Sequence, residues 1–141
     1  GVSEIVPVAA RRCVARLDDR SQEKKLARYQ RIAYEAAKQC GRGIIPAVKS
    51  PVTFVQAVKQ AESDLSNLFY ENSSSPLREA LSQPAKTISI LVGPEGGFDP
   101  EEVQLALEKG WESLSLGKRI LRCETAPLAA LAIVMYQTGN L

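Results

Sequence analysis

Residues 86 to 102, KTISILVGPEGGFDPEE, run from an apolar, β-branched stretch through a loop of three glycines and a proline into an acidic helix start. KTISILVG (86–93) is bounded by turn residues and reads as a strand buried on both faces. Asp99 then supplies an N-cap, Pro100 a proline at the first helical position, and Glu101 and Glu102 negative charge at the positive helix end. A helix is therefore predicted from about Pro100 to Lys109, closed by Gly110. A strand feeding a helix through a tight glycine loop is the unit of an α/β fold.

Working outward, WESLSLG (111–117) reads as another strand, KRILRCE as a loop, and TAPLAALAIVMYQTG (125–139) as a nearly all-apolar helix. Thr125 is its expected N-cap, with Pro127 just inside. Upstream, LSNLFYE (65–71) is a strand, ENSSSP (71–76) a polar loop, and PLREALSQ a short helix at best. SPVTFVQAVKQA predicts a helix capped by Ser50 with Pro51 at its first position. SEIVPVA (3–9) reads as a first strand, and RCVARL (12–17) as a further extended piece. From Ser21 a long amphipathic helix places Leu26, Tyr29, Ala33, Ala36 and Ala37 near one face and ends at Gly41, before the turn and short extended piece GRGIIPAVK. Strands alternate with helices throughout, which predicts an α/β fold with a mostly parallel sheet and helices on both faces. Ligands of such sheets bind beyond the carboxyl ends of strands, so Gly93 to Gly97 and Gly117 should share one crevice.

The composition narrows the chemistry. The 141 residues fit one domain, 1–141, able to bury roughly two-thirds of its unfolded surface, and no apolar run approaches a membrane span. Cys13, Cys40 and Cys123 are odd in number and lack CxxC spacing, so neither a disulfide framework nor a zinc site is indicated, and a reducing, cytoplasmic setting is expected. Histidine is absent, which removes the commonest metal ligand and general base together with Ser-His and Cys-His triads. Net charge is only +2, yet Arg11, Arg12, Arg16, Arg20, Lys24, Lys25, Arg28 and Arg31 crowd the first quarter and form the candidate polyanion face. The chain opens at Gly1 rather than methionine and is read as part of a longer protein.

GPEGG is neither GxGxxG nor a P-loop, which disfavours dinucleotide and nucleoside triphosphate binding. Spacing alone leaves it either a sharp turn needing positive φ or a loop that lets a ligand approach backbone amides. In LGKRILRCETAPLAAL (116–131), Lys118, Arg119, Arg122 and Glu124 precede an apolar helix. Guanidinium groups there suit an anionic or polarised substrate, and a solvated loop with an Arg-Glu pair suits the pattern as well. Arg42, after the helix stop at Gly41, and Glu71, at a strand end, read as exposed side chains on this basis.

GVSEIVPV, KKLARYQRIAYEAAKQCGR, IIP, LFYE, LVGPEGGF and LGKRILRCETAPLAAL together resemble the methyltransferase domain of the RsmE-type family, which methylates N3 of a uridine in small-subunit ribosomal RNA. The resemblance covers nearly the whole chain. It implies the SPOUT fold, whose C-terminal segment threads a deep trefoil knot, S-adenosylmethionine as cofactor, a homodimer with sites near the subunit interface, and no metal. Family members carry a small PUA-like RNA-binding domain in front, so this chain is expected to be the methyltransferase domain alone.

Carried over by position, the resemblance implies that Leu91, Val92, Gly93 and Gly96 line one wall of the cofactor pocket. Leu116, Gly117, Ile120 and Leu121 would line the other, closed by Thr125, Ala126 and Leu128. Arg122 would stabilise the anion that forms at uridine N3, and Glu124 would accept the proton or orient Arg122. Arg42, from the partner subunit, and Glu71 are further candidates, while Arg11, Arg12 and Lys118 would hold RNA phosphates. Two other assignments stay open: the same domain acting on transfer RNA or a ribose 2'-hydroxyl, and a non-catalytic RNA-binding or dimerisation module.

Overall fold

The computed structural model describes residues 1–13 and 19–141. From Val14 onward, the extended piece expected over 12–17 lies outside the described residues, as does Arg16. The chain divides into two compact units, Gly1–Ala9 with Val14–Thr53, and Ala10–Cys13 with Phe54–Leu141.

In the first unit the strand expected over 3–9 is two: β1 (Glu4–Ile5) and β2 (Val8–Ala9), with Pro7, which has no N–H to donate, between them. β1 pairs in parallel with β3 (Ala47–Val48), and β2 with β4 (Val52–Thr53). The expected helix start at Ser50–Pro51 is therefore wrong. Val52 donates its N–H to the Pro7 carbonyl at 3.0 Å, so two β-branched residues join a strand pair and the helix begins only at Phe54. The long helix α1 spans Asp19–Gln39 and packs on β3. Of its expected apolar face, Ala33 and Ala37 are buried, while Tyr29 and Ala36 are exposed. The Gln30 amide ties the helix to that strand, donating to the Pro46 carbonyl and accepting from the Val48 N–H, each at 2.9 Å. Gly41, at φ 71°, ends α1 as expected. Its N–H bonds to the Lys38 carbonyl and that of Arg42 to the Ala37 carbonyl, the paired bonds of a Schellman cap.

The second unit holds a parallel three-stranded sheet, with β5 (Leu65–Phe69) between β6 (Ile88–Val92) and β7 (Glu112–Leu114). The expectation that β6 is buried on both faces is corrected: it lies at an edge of this sheet, and only Leu91 in it is buried. The centre belongs to β5, where Asn67, Leu68 and Phe69 are buried. On one face Phe69 and Leu114 pack with Leu77 of α3 (Leu77–Ala80) and with Ala130 and Val134 of α5 (Ala126–Gln137). Side chains alternate along a strand, so Leu68 and Leu91, paired in register, are buried on the opposite face. α2 (Phe54–Gln60) packs against α4 (Pro100–Glu108). Beside that contact the Phe54 ring is set edge-on to Phe98, which precedes α4, at 5.6 Å between centroids. The Trp111 indole donates to the Val58 carbonyl at 3.1 Å.

The two strands that end near the glycine loop are set level at their other ends by Asp64. Its Oδ2 accepts from the N–H groups of Lys86 and Thr87 at 2.7 and 2.9 Å and from the Thr87 hydroxyl. The Thr87 N–H, then that of Lys86 and the hydroxyl, hold its carboxyl below the usual aspartate range. A depressed carboxyl contributes stability that is present above its unfolded pKa, about 4, and lost as pH falls through the lower folded value. Asp64→Asn should therefore lower the urea midpoint at pH 7, with the difference from the parent chain closing as pH drops below about 4. An unchanged difference between pH 7 and pH 3 would refute this role.

Candidate active site

The chain leaves β6 at Val92 and must reverse direction within GPEGGF to begin α4. The Gly97 N–H closes this turn on the Pro94 carbonyl at 2.9 Å, with Gly97 at φ +67°, a conformation that favours glycine. Protein neighbours crowd all three glycines of the loop, and at Gly97 the positive φ adds its own demand. A Cβ at Gly93 would lie 3.2 Å from the Phe98 ring, one at Gly96 3.0 Å from Arg12 Cβ, and one at Gly97 2.6 Å from Glu71 Oε1. Asp99 and Glu102 then form the capping box that starts α4. The Asp99 carboxylate accepts from the Glu101 N–H at 3.1 Å, and Glu102 Oε2 accepts from the Asp99 N–H at 3.0 Å.

The second wall grows from β7. The Ser115 N–H bonds to the Ser75 carbonyl at 2.8 Å, and the Ser115 hydroxyl accepts from the Gly117 N–H at 3.1 Å, with Gly117 at φ +110°. Residues 118–125 lead into α5. Thr125 is not the expected side-chain cap: its backbone is already helical, at φ −91° and ψ −38°, and its hydroxyl makes no capping bond. The turn begins instead at the Arg122 carbonyl, which accepts from the N–H groups of both Thr125 and Ala126 at 2.9 Å.

Between these walls is a cavity of about 800 Å³. The two glycine-bearing strand ends share it, as expected of the crevice beyond a parallel sheet. Val92, Gly93, Gly96, Leu116, Gly117, Ile120, Leu121 and Ala126 line it, together with Lys118, Arg122 and Glu124. Leu91, Thr125 and Leu128 do not: Leu91 is buried in the sheet, Thr125 is exposed, and Leu128, on α5, is 69% exposed. Glu71 and Arg119 are also on the wall. Arg42 belongs to the first unit, where it donates to the Val2 carbonyl at 2.8 Å. Arg11 and Arg12 meet the start of α4, with Arg11 bonded to Asp99 and Glu101 and Arg12 paired with Asp99 at 3.6 Å. Sequence reading missed these pairings, because partners so far apart along the chain leave no local signal.

Glu124, which the resemblance implies as proton acceptor or as the group that orients Arg122, accepts a hydrogen bond from the Cys123 thiol at Oε2, at 3.3 Å. The Glu124 carboxyl is held below its ordinary value, first by its own backbone N–H and then by that thiol. Cys123 responds in the opposite sense, pushed up to about 11 by the bond to Glu124, then by burial and by Glu95. Glu95, at the tip of the glycine loop, therefore faces the other wall through this thiol. Near pH 8 the Cys123 thiolate fraction should be roughly a hundredfold below that of an ordinary cysteine. Iodoacetamide should label exposed Cys40 well before Cys123, and Glu95→Gln should speed labelling of Cys123. Equal rates at the two cysteines would contradict the assigned surroundings.

Residues 1–135 match the family model for an RNA methyltransferase domain. The ribosomal RNA small subunit methyltransferase E of Bacillus subtilis is 38% identical over 98% of this chain and 57% of its own length. That of Synechocystis is 44% identical over 78% of this chain and 38% of its own. The structure is similar to that of ribosomal RNA small subunit methyltransferase E from Neisseria gonorrhoeae bound to S-adenosyl methionine, with a TM-score of 0.88 and 37% identity over 96% of this chain and 55% of that one. The matched stretch thus covers between 38% and 57% of the length of these relatives. With its match over residues 1–135, the chain belongs to the RNA methyltransferase domain family and is of its RsmE type.

Proposed function

We propose that this chain is a methyltransferase domain that takes S-adenosylmethionine in the cavity between the 93–97 loop and residues 116–126, and methylates N3 of a uridine in small-subunit ribosomal RNA. The observation that carries the reading is that one cavity gathers the glycine loop, the second strand end, Arg122 and Glu124. Its volume lies within the roughly 300–1,000 Å³ of small-molecule sites. The residues present fit the cofactor. Val92, Leu116, Leu121 and Ala126 offer apolar surface to an adenosine, and Gly93, Gly96 and Gly117 leave peptide groups open to it.

When bound, S-adenosylmethionine supplies a methyl group on a sulfonium. What the protein must add is help at uridine N3, whose proton is weakly acidic. A carboxylate held below its ordinary pKa, as Glu124 is, is a weaker base than a free one. The heavier share of the chemistry therefore falls on Arg122, whose guanidinium stabilises the charge that develops at N3 and its two flanking carbonyls. Glu124, ionised at neutral pH, receives the proton or places the base. Lys118 at the rim holds RNA phosphate.

The finer architecture belongs to the same proposal. A threaded, knotted C-terminal segment of the SPOUT type is part of it, supported by the likeness of LVGPEGGF and LGKRILRCETAPLAAL to the RsmE-type pattern. Leu128, Ile133 and Tyr136, exposed on α5, support a homodimer. The described cysteines are all free thiols, which supports a reducing, cytoplasmic setting. No helix among the described residues is long and apolar enough to cross a membrane.

The test is methylation of small ribosomal subunits with labelled cofactor, the product located by mass spectrometry. A 3-methyluridine is expected, and a methylated ribose or a transfer RNA product would overturn the assignment. Arg122→Ala should lower kcat by about a hundredfold or more while leaving cofactor affinity within about threefold. Methylation at the parental rate would remove Arg122 from the chemistry.

A further inference from the structure

We propose that Arg12 is a positioning residue for the cofactor wall, acting through Gly96 rather than on the ligand. The inference rests on the proposed cofactor cavity, yet Arg12 itself does not line that cavity. Its guanidinium Nη1 donates to the Gly96 carbonyl at 3.2 Å, and Nη2 pairs with Asp99 Oδ2 at 3.6 Å. Its backbone is just as close: a Cβ at Gly96 would lie 3.3 Å from the Arg12 carbonyl oxygen and 3.0 Å from its Cβ. The neighbouring Arg11 fixes the same segment to α4, its N–H bonded to Glu102 Oε1 at 2.9 Å. Residues 10–13 thus form a strap over the outer side of the loop whose inner side is the cavity wall.

The loop needs such a strap. Three glycines in five residues give GPEGG wide backbone freedom, and ordering it on ligand arrival would weaken binding. The surroundings already hold three points of the loop. Phe98 fills the space beside Gly93, Glu71 abuts Gly97, and Arg12 holds the peptide between them by its carbonyl. Removing the Arg12 donor frees the Gly96 carbonyl and releases the only one of these contacts that also reaches the N-cap of α4. An arginine that looks like a phosphate holder in the sequence thereby sets the geometry of the cofactor site.

Calorimetry of S-adenosylmethionine binding without RNA separates the two roles. The parent chain should bind, and Arg12→Ala should bind about tenfold more weakly. KM for the cofactor should rise in step, with kcat at saturating cofactor within about twofold. Arg12→Gln, which keeps a donor for the Gly96 carbonyl, should recover most of the affinity. Should Arg12→Ala fail to melt cooperatively, Arg12→Met, which keeps the stem against Gly96 but has no donor, carries the same expectation. Unchanged cofactor affinity in the folded variant, with loss confined to RNA binding, would leave Arg12 a phosphate contact and overturn the inference. A parent chain that binds no cofactor would overturn the cavity reading itself, and the inference with it.

Discussion

The Phe98 ring packs so closely on Gly93 that a Cβ added there would come within 3.2 Å of it, and the glycine loop is built around that contact. The ring is 1% exposed and meets Phe54 of α2 edge-on, so its burial contributes about 1.5–3 kcal/mol at the very point where the chain turns back. Because Phe98 is pinned, Asp99 arrives in the right place to cap α4. Because Gly93 has no side chain, the loop between them can fold tightly against the strand end. The glycine loop is therefore a structural turn and a cavity wall at once, two readings its spacing left as alternatives. Phe98, Arg12 and Glu71 crowd these same small residues from the protein's own side.

Charge at the cavity is divided rather than uniform. Lys118, Arg119 and Arg122 share the lining with Glu71, Glu95 and Glu124. A site of one sign would suit phosphate alone, whereas a mixed one suits a cationic cofactor beside an anionic polymer. The Cys123 thiol, kept protonated well above neutral pH by Glu124, by burial and by Glu95, lets the two carboxylates approach without adding a further negative charge. Its hydrogen bond also lowers the basicity of Glu124, which in the proposed reaction leaves Arg122 the larger part in stabilising the reacting base.

Local signals in the sequence were legible where local physics decided the outcome. Asp99, Pro100 and Glu102 marked the start of α4, and Gly41 marked the end of α1, because capping is settled within one turn of chain. The same reasoning failed at Ser50–Pro51 and at Thr125. Ser50 and Pro51 look like a helix start, but Val52 and Thr53 are claimed by a strand more than forty residues away. Thr125 has a capping side chain, but the turn begins at Arg122, too early for it to act. At the site, the two glycine ends were found together from the rule for parallel sheets, and most residues carried over by resemblance fall on the cavity. The roles of Arg11 and Arg12 were not legible, since their acidic partners lie far along the chain and only the fold brings them together.

The proposed chemistry requires S-adenosylmethionine to sit in the crevice beyond β6 and β7. Backbone amide NMR during titration with S-adenosylmethionine tests it most directly, because glycine amides resonate in a distinct region. The amides of Gly93, Gly96, Gly97 and Gly117 should shift together and saturate at one concentration. If those four stay fixed while amides around the apolar groove of Tyr29, Ile32 and Val48 move instead, the site has been placed in the wrong half of the chain.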